Sequence, residues 1–341
     1  MKKERVVVVM PGRGSYASSE LGYLRKYHDS RFDLLSRFDR VVEGLGGDPA
    51  SQLDALEKFS PSKHLPGRNA SNLIYACALA DFATIDRSKY DVVAICGNSL
   101  GWYLTLAAAG VLSLEGGARL VDTMGGLMDR DGVGGQLLYP VTDDTWRLDL
   151  EKIELVDGVI QDTPNAFHSI DLCGTKVLAG DDAAVKKMLN DLPKVDDRFP
   201  VRLPKHAAFH TPIMESVSVN ARSLLPASLF GNTQIPIIDG RGQIWTPFAY
   251  SAADIHTYTL HNQIVEPYNF AKSIEVALKQ FAPDRVILTG PGGSLGPPVG
   301  QCLIQNKWYG LKSRDDFSAR QEKDPILLSM GRPDQRKLVV G

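Results

Sequence analysis

The sequence predicts an α/β fold: a mostly parallel sheet with helices on both faces, into which a small α+β unit is inserted. Short β-branched runs end at glycine-rich breaks or turns, helical patterns lie between these runs, and the pattern changes between residues 132 and 203. Alternation of strands and helices is typical of parallel sheets covered by helices. The 341 residues are about twice a ~150-residue domain, so one large domain with an insert and two domains both remain open.

Four apolar runs are the predicted strands. Parallel strands are buried on both faces, so they read as continuous β-branched segments rather than alternating ones. The runs are residues 6–9, 92–95, 176–178 and 285–288. The segments between them repeat apolar residues at helical spacing, which predicts helices over 34–45, 73–85, 100–112, 114–128 and 270–281.

The inserted unit is predicted from a change of pattern. Strand-like pieces at 136–141, 152–156 and 176–179 surround one helical pattern at 181–192. We therefore divide the chain into a large subdomain (1–131 and 204–310), a small subdomain (132–203) and a C-terminal extension (311–341). The extension is polar up to residue 326, and we expect it to wrap the surface and to carry no chemistry.

Composition excludes several classes of protein. Lys and Arg number 38 against 40 Asp and Glu, a net charge of −2, so we expect no nucleic-acid partner and no membrane-surface binding. The apolar run after the charged start covers only residues 6–10, and no run approaches the ~20 residues of a membrane span. The cysteines show no paired spacing, so neither a zinc site nor a disulfide framework is expected, and a reducing cytoplasm fits best. They are Cys77, Cys96, Cys173 and Cys302.

The strongest chemical signal is Gly-Asn-Ser-Leu-Gly at residues 97–101. It is a Gly-x-Ser-x-Gly pattern placed directly after a predicted strand and directly before a predicted helix, the context that a nucleophile elbow requires. Glycines at both ends remove side chains that would clash in the tight turn. The helix starting at Leu100 directs free N–H groups toward developing negative charge. Ser99 is therefore the candidate nucleophile, and an ordinary glycine-flanked turn is the alternative.

A serine nucleophile needs a base, and His210 is the best local candidate. It lies in a loop between an apolar run and Pro212. His206 lies four residues earlier, but prolines bracket the segment and no acidic ligand has suitable spacing, so we predict no metal site. The remaining histidines have polar neighbours and are predicted to be surface or loop residues: His28, His64, His168, His256 and His261.

Two glycine-rich loops indicate a competing function. Residues 12–17 match a relaxed Gly-x-Gly-x-x-Ala dinucleotide pattern after the first strand, but no second strand is predicted in the next ~35 residues. Residues 289–296 also follow a strand, but their spacing fails the pattern. A dinucleotide-binding oxidoreductase is thus kept as an alternative from a different class.

Several segments together resemble one family. Met-Pro-Gly-Arg-Gly-Ser at 10–15 is similar to the Phe-Pro-Gly-Gln-Gly-Ser loop of malonyl-CoA:acyl-carrier-protein transacylases and polyketide synthase acyltransferase domains. Residues 97–103 resemble their Gly-His-Ser-Leu-Gly-Glu-Tyr elbow, and 208–214 resemble their catalytic-histidine segment. Later landmarks follow in the same order, at 263–267, 272–275 and 290–292. The resemblance spans roughly residues 5 to 305.

The resemblance implies a hydrolase-like α/β core with a ferredoxin-like insert and an active site between them. Ser99 would be acylated by a thioester, with His210 as base and then acid. The backbone N–H groups of Leu100 and Arg13 would form the oxyanion hole, and a main-chain carbonyl near Gln263 would orient the histidine. The substrate would be a coenzyme A or other acyl thioester, the partner an acyl carrier protein with its phosphopantetheine arm, and no cofactor would be bound tightly.

Five positions bear on the acyl group. Met124 stands where malonyl-specific members carry a carboxylate-binding arginine, and a thioether suits an apolar chain. Asn98 and Trp102 replace the usual histidine and glutamate and would reshape the cleft wall. Phe209 is the type associated with small, unbranched groups. Arg13 replaces the glutamine of the glycine loop. Either its side chain supplies the positive charge that Met124 lacks, or only its main chain has a role in the site. From Met124 we expect a modest preference for uncharged acyl groups over malonyl.

The sequence therefore predicts an acyltransferase acting through acyl-Ser99. An acyl hydrolase on the same scaffold, with water replacing the carrier thiol, and a catalytically dead docking module remain alternatives. Carrier proteins are typically acidic, so cations near the cleft should meet them. The candidates are Lys63, Arg68 and Lys205.

Overall fold

The computed structural model of the protein describes residues 2–341, which form two sheets surrounded by helices. The strands are β1 (Glu4–Met10), β2 (Tyr90–Gly97), β3 (Gly135–Pro140), β4 (Ala166–Asp171), β5 (Thr175–Gly180), β6 (Val201–Arg202), β7 (Ile237–Ile238), β8 (Ile244–Trp245), β9 (Tyr268–Asn269), β10 (Arg285–Leu288) and β11 (Leu327–Ser329). The helices are α1 (Tyr23–His28), α2 (Phe32–Gly44), α3 (Ala50–Asp54), α4 (Pro61–His64), α5 (Gly67–Phe82), α6 (Leu100–Ala108), α7 (Leu114–Asp131), α8 (Leu150–Gln161), α9 (Asp182–Asp191), α10 (Glu215–Leu224), α11 (Ala252–Thr257), α12 (Gln263–Val265), α13 (Phe270–Phe281), α14 (Gly296–Gln305), α15 (Arg314–Lys323) and α16 (Pro333–Val339).

The large sheet has the strand order β11-β10-β1-β2-β7-β8. Its pairings are parallel except for β7 with β8. Residues Val6 to Val9 of β1 are at most 1% exposed, because helices cover both faces of a parallel sheet. The predicted parallel strands at 6–9, 92–95 and 285–288 are confirmed, and with them the mostly parallel α/β core.

The small sheet has the order β6-β3-β5-β4-β9 and packs against α8 and α9 over a separate core. Its strands are antiparallel except for β9, which pairs parallel with β4 and comes from outside residues 132–203. Residues 176–178, grouped with the parallel strands above, therefore lie in an antiparallel strand.

One predicted strand of the small unit is wrong. Residues 152–156 belong to α8, because Asp149 accepts a hydrogen bond from the N–H of Lys152 and caps that helix. Ile153, Val156 and Ile160 then recur on the face that packs on the small core. Strand β4 (Ala166–Asp171) has no counterpart among the predicted strands.

The C-terminal segment does not simply wrap the surface, and that prediction is wrong. Residues 326–328 are at most 4% exposed and β11 extends the large sheet. Arg336 is buried, and its Nη1 lies 2.6 Å from Oδ1 of Asp81, which is also 2.7 Å from Nε2 of His28. His28 and His64 are fully buried, against the prediction that they are surface or loop residues. Nε2 of His28 lies 2.7 Å from Asp81, and both ring nitrogens of His64 have backbone partners, in Ser60 and Leu53.

The expectation of no disulfide is also wrong. Cys173, in the turn between β4 and β5, is bonded to Cys302 of α14, 129 residues away. Cys77 and Cys96 are free and buried. Within residues 2–341, no helix is long and apolar enough to cross a membrane, and no cluster of three or more His, Cys, Asp or Glu is arranged to hold a metal ion.

Candidate active site

Ser99 occupies a sharp turn between β2 and α6. Its backbone angles are φ 53° and ψ −107°, a sparsely populated conformation for a residue with a side chain, which typically costs about 1–3 kcal/mol. A Cβ atom on Gly97 would overlap the backbone of Gly101, and one on Gly101 would overlap the carbonyl of Met10. Glycine is therefore required on both sides of Ser99 for the turn to close.

His210 lies beside Ser99 although 111 residues separate them. The distance from Ser99 Oγ to His210 Nε2 is 2.7 Å, and from His210 Nδ1 to the carbonyl oxygen of Gln263 it is 2.6 Å. A carbonyl oxygen can only accept, so Nδ1 carries the ring proton and Nε2 is left to accept from the serine hydroxyl. The backbone N–H of His210 donates to Ile264 (2.8 Å), which fixes the residue at a positive φ of 62°.

The surroundings of His210 keep its ring neutral. The side chain is fully buried, and burial lowers its pKa from the usual 6.5 to about 4, while the hydrogen bond to Gln263 opposes this shift. Burial penalises the imidazolium because a charged ring loses its hydration. At neutral pH the imidazole can therefore accept a proton from Ser99.

Gln263 connects three parts of the site. Besides its carbonyl contact with His210, its side-chain oxygen accepts from the hydroxyl of Tyr103 (2.8 Å), and its side-chain nitrogen donates to the carbonyl of Ser99 (3.2 Å). A π-helical turn, Tyr258–Asn262, directly precedes it, and such turns are frequent at functional sites. The positioning of the histidine thus depends on α6 and α12 together.

Two tyrosines that the sequence analysis did not select complete these contacts. Tyr103 donates to Gln263 and is the last residue of the elbow segment 97–103, so the motif itself was the sequence signal that could have identified it. The hydroxyl of Tyr268 donates to the carbonyl of Gly97 (2.6 Å), and its ring centroid lies 5.4 Å from that of His210. No local pattern marks Tyr268, because it reaches the elbow from β9.

A small cavity of about 30 Å³ opens beside Ser99. Among the sequence-selected residues, the structure places Arg13, Leu100, Met124, Phe209 and Gln263 in its lining. The other lining residues are Ser71, Tyr103, Gly125 and Met128. The first N–H groups of a helix have no intrahelical acceptor, and the N–H of Leu100 opens α6 next to the hydroxyl of Ser99.

Asn98 and Trp102, selected as substrate contacts, are outside the lining residues in the described part of the chain. Trp102 is fully buried, donates from Nε1 to Thr259 (3.0 Å) and packs edge-on against Tyr258. Full burial suits an indole whose N–H finds a partner. Asn98 lies against the glycine loop, where a Cβ on Gly12 would come within 2.8 Å of its side chain. In this structure both side chains are buried and pack outside the lining of this cavity.

The three cations proposed to meet a carrier differ in their surroundings. Arg68 donates from Nε and Nη2 to Asp122 (2.7 and 2.6 Å) and is committed to that internal ion pair. Lys63 pairs with Asp48 at 3.1 Å on the surface. Lys205 is exposed. Arg68 is thus the weakest of the three candidates for binding a partner.

This chain is similar in sequence to several acyltransferases. No family model matches the chain. A polyketide synthase of Mycobacterium marinum, "Phenolphthiocerol synthesis polyketide synthase type I Pks15/1", is 26% identical over 333 residues. The match covers 88% of this chain and only 14% of that protein. A malonyl CoA-acyl carrier protein transacylase of Staphylococcus aureus is 20% identical over 334 residues, covering 94% of this chain and 99% of its own length.

Solved structures extend the comparison to the fold. The malonyl-CoA:acyl carrier protein transacylase of Xanthomonas oryzae superposes with a TM-score of 0.74 at 22% identity, over 100% of both chains. A malonyl-transacylase solved in complex with its type II polyketide synthase acyl-carrier protein gives a TM-score of 0.72 at 19% identity, over 88% of this chain and 93% of that one. The resemblance seen in the sequence motifs and the predicted fold class are both confirmed.

Proposed function

We propose that this protein is an S-acyltransferase of the malonyl-CoA:acyl-carrier-protein transacylase type, which works through an acyl-Ser99 intermediate. The observation that carries the proposal is the 2.7 Å contact between Ser99 Oγ and a neutral, buried His210, whose other nitrogen is held by the carbonyl of Gln263. A nucleophile, a base and a group that orients the base are the minimum for covalent acyl transfer. The names of the similar proteins support the same reaction type.

In the first half-reaction, Nε2 of His210 takes the proton of Ser99 as Oγ attacks the carbonyl carbon of an acyl thioester. The N–H groups of Leu100 and Arg13 are proposed to stabilise the resulting oxyanion. Collapse of this tetrahedral species breaks the carbon–sulfur bond, and the imidazolium returns its proton to the departing sulfur. The carbonyl of Gln263 accepts from Nδ1 throughout and stabilises the transient positive charge.

The second half-reaction reverses these steps with a new thiol. The phosphopantetheine thiol of an acyl carrier protein gives its proton to His210 and attacks the acyl-Ser99 ester, and Oγ leaves and regains a proton. Coenzyme A thioesters are the proposed donors, and Lys205 is a candidate contact for the acidic carrier. This chemistry needs no tightly bound cofactor. A cytoplasmic location is not favoured by the Cys173–Cys302 bond, since disulfides are rare in reducing compartments.

The dinucleotide alternative loses support. A dinucleotide-binding unit needs a second strand soon after the glycine loop, whereas the chain between β1 and β2 is helical wherever it is regular. The loop also packs against Asn98 behind the nucleophile turn.

Intact-mass measurement after exposure to a panel of acyl-CoA thioesters tests the proposal. The unaltered protein and a surface control, Ser223→Ala, should gain the mass of one acyl group, and Ser99→Ala should gain none. Addition of an acyl carrier protein bearing phosphopantetheine should then move that mass to the carrier. Release of free acid instead would identify a hydrolase, and an adduct that persists on Ser99→Ala would refute the proposed nucleophile. Absence of any adduct would favour the docking module.

A further inference from the structure

Arg13 reaches from the loop after β1 into the cavity that contains Ser99. Its guanidinium contacts the sulfur of Met128 and donates to the carbonyls of Lys205 (3.0 Å) and Leu65 (3.2 Å). Its Nε is fully enclosed and has no hydrogen-bond partner within residues 2–341. Enclosed guanidinium nitrogens are normally hydrogen-bonded, because an unpaired buried donor is costly. Arg13 therefore lines the same cavity as Ser99 and keeps one enclosed donor without a partner.

The charge of Arg13 is not neutralised by an ion pair. None of the salt bridges among the described residues includes it. Asp129 is near enough to favour its charged form, but both oxygens of that carboxylate accept backbone N–H groups, from Gly67 (2.6 Å) and Arg68 (2.9 Å). Burial lowers the pKa of Arg13 to about 10, so the group is still a cation at neutral pH.

The size of the cavity limits what can lie beside this cation. About 30 Å³ is room for roughly one or two water molecules. Met124, Met128 and Phe209 form apolar walls, so a long acyl chain would have to displace several side chains. A short acyl group on Ser99 fits with less rearrangement, and its far end would lie among the residues that line the cavity with Arg13.

We propose that the side chain of Arg13 binds the free carboxylate of a short carboxyacyl group carried by Ser99. This inference rests on the acyl-Ser99 intermediate proposed above. It departs from the expectation drawn from Met124 alone, because the cation comes from the glycine loop instead of α7. A planar guanidinium suits this task, since two of its N–H groups can meet both oxygens of one carboxylate. Arg13 then has separate roles: its main-chain N–H faces the oxyanion and its side chain selects the acyl group.

Arg13→Gln separates these roles, because it keeps the main-chain N–H and removes only the charge. Rates of Ser99 loading would be measured with malonyl-CoA and with butyryl-CoA, whose acyl group is of similar size and uncharged. We expect the unaltered protein to favour malonyl. Arg13→Gln should lower kcat/KM for malonyl loading by about 10- to 100-fold, the loss expected for a charge-assisted hydrogen bond, and should lower butyryl loading by a much smaller factor. Arg13→Lys should fall between, since an ammonium keeps the charge without the fork.

Arg130→Gln, which removes an exposed arginine at the end of α7, is the matched control and should leave both rates unchanged. Butyryl loading by Arg13→Gln shows that this variant is folded. Equal loss of both acyl groups, or malonyl loading that Arg13→Gln leaves intact, would overturn the role of Arg13 while acyl-Ser99 stands. Failure of every thioester to load any variant would instead overturn the proposed function, and this inference with it.

Discussion

Lowering the pH should leave Ser99 acylation almost unaffected well below the usual titration range of histidine. The base of the site is fully buried, and burial lowers the pKa of His210 to about 4. At pH 5.5 such a group is about 97% neutral, whereas a histidine with the ordinary pKa of about 6.5 would be only about 9% neutral. The initial acylation rate at pH 5.5 should therefore be about tenfold higher than an ordinary histidine would allow.

Quenched-flow sampling with intact-mass detection of acyl-Ser99, from pH 4.5 to 8 at a subsaturating thioester concentration, measures this rate. The stability of the fold limits the pH range of this assay. Between about pH 6.5 and 4, His210 binds a proton in the unfolded chain but not in the folded one. The free energy of unfolding therefore falls as the pH falls. Near-UV circular dichroism at each pH identifies the range in which the protein is native. His168→Asn, which changes a half-exposed histidine paired with Asp157, is the control and should not move the profile. An acid limb near pH 6.5 in natively folded protein would refute the proposed protonation state of His210.

Three substitutions test other parts of the structure. Gly97→Ala places a Cβ on the backbone of Gly101 and should lower acyl-Ser99 formation about 100-fold or more by displacing the nucleophile; retention of more than a tenth of the rate would contradict the steric requirement. Arg336→Met leaves the fully buried Asp81 without its cation and should lower the free energy of unfolding in urea by about 3–5 kcal/mol, whereas exposed Arg332→Met should change it by less than about 0.5 kcal/mol. Tyr103→Phe removes the hydroxyl that holds Gln263 and should lower the acylation rate about three- to tenfold without changing the selectivity between acyl groups; an unchanged rate would show that Gln263 is held by its other contacts.

The sequence predicts the features whose cause lies within a few neighbouring residues. The turn at Ser99 is one, since a strand, two glycines and a helix start follow one another within about a dozen positions. Residues 152–156 show the limit even of local reasoning: Ile153 and Val156 fit a short apolar run, and the helix is decided by the cap at Asp149.

Features that depend on distant contacts were not predictable in this way. His28 has polar neighbours in sequence, yet its burial is determined by Asp81 and Arg336, which are 53 and 308 positions away. The spacing of Cys173 and Cys302 carries no signal at a separation of 129 residues. The unpaired Nε of Arg13 likewise depends on the folded structure around it, whereas the arginine itself can be read from the sequence of the loop.

The small sheet is completed by a strand that belongs elsewhere in the chain. Tyr268 and Asn269 pair with β4 only a few residues after Gln263, and Cys302 fastens the β4–β5 turn to α14. Residues 132–203 therefore cannot be removed, or replaced by a homologous segment, as an independent unit. Their sheet would lose both its edge strand β9 and the disulfide bond between Cys173 and Cys302. An engineered chimera has to transplant 268–269 with them, and it thereby disturbs the backbone that aligns the imidazole.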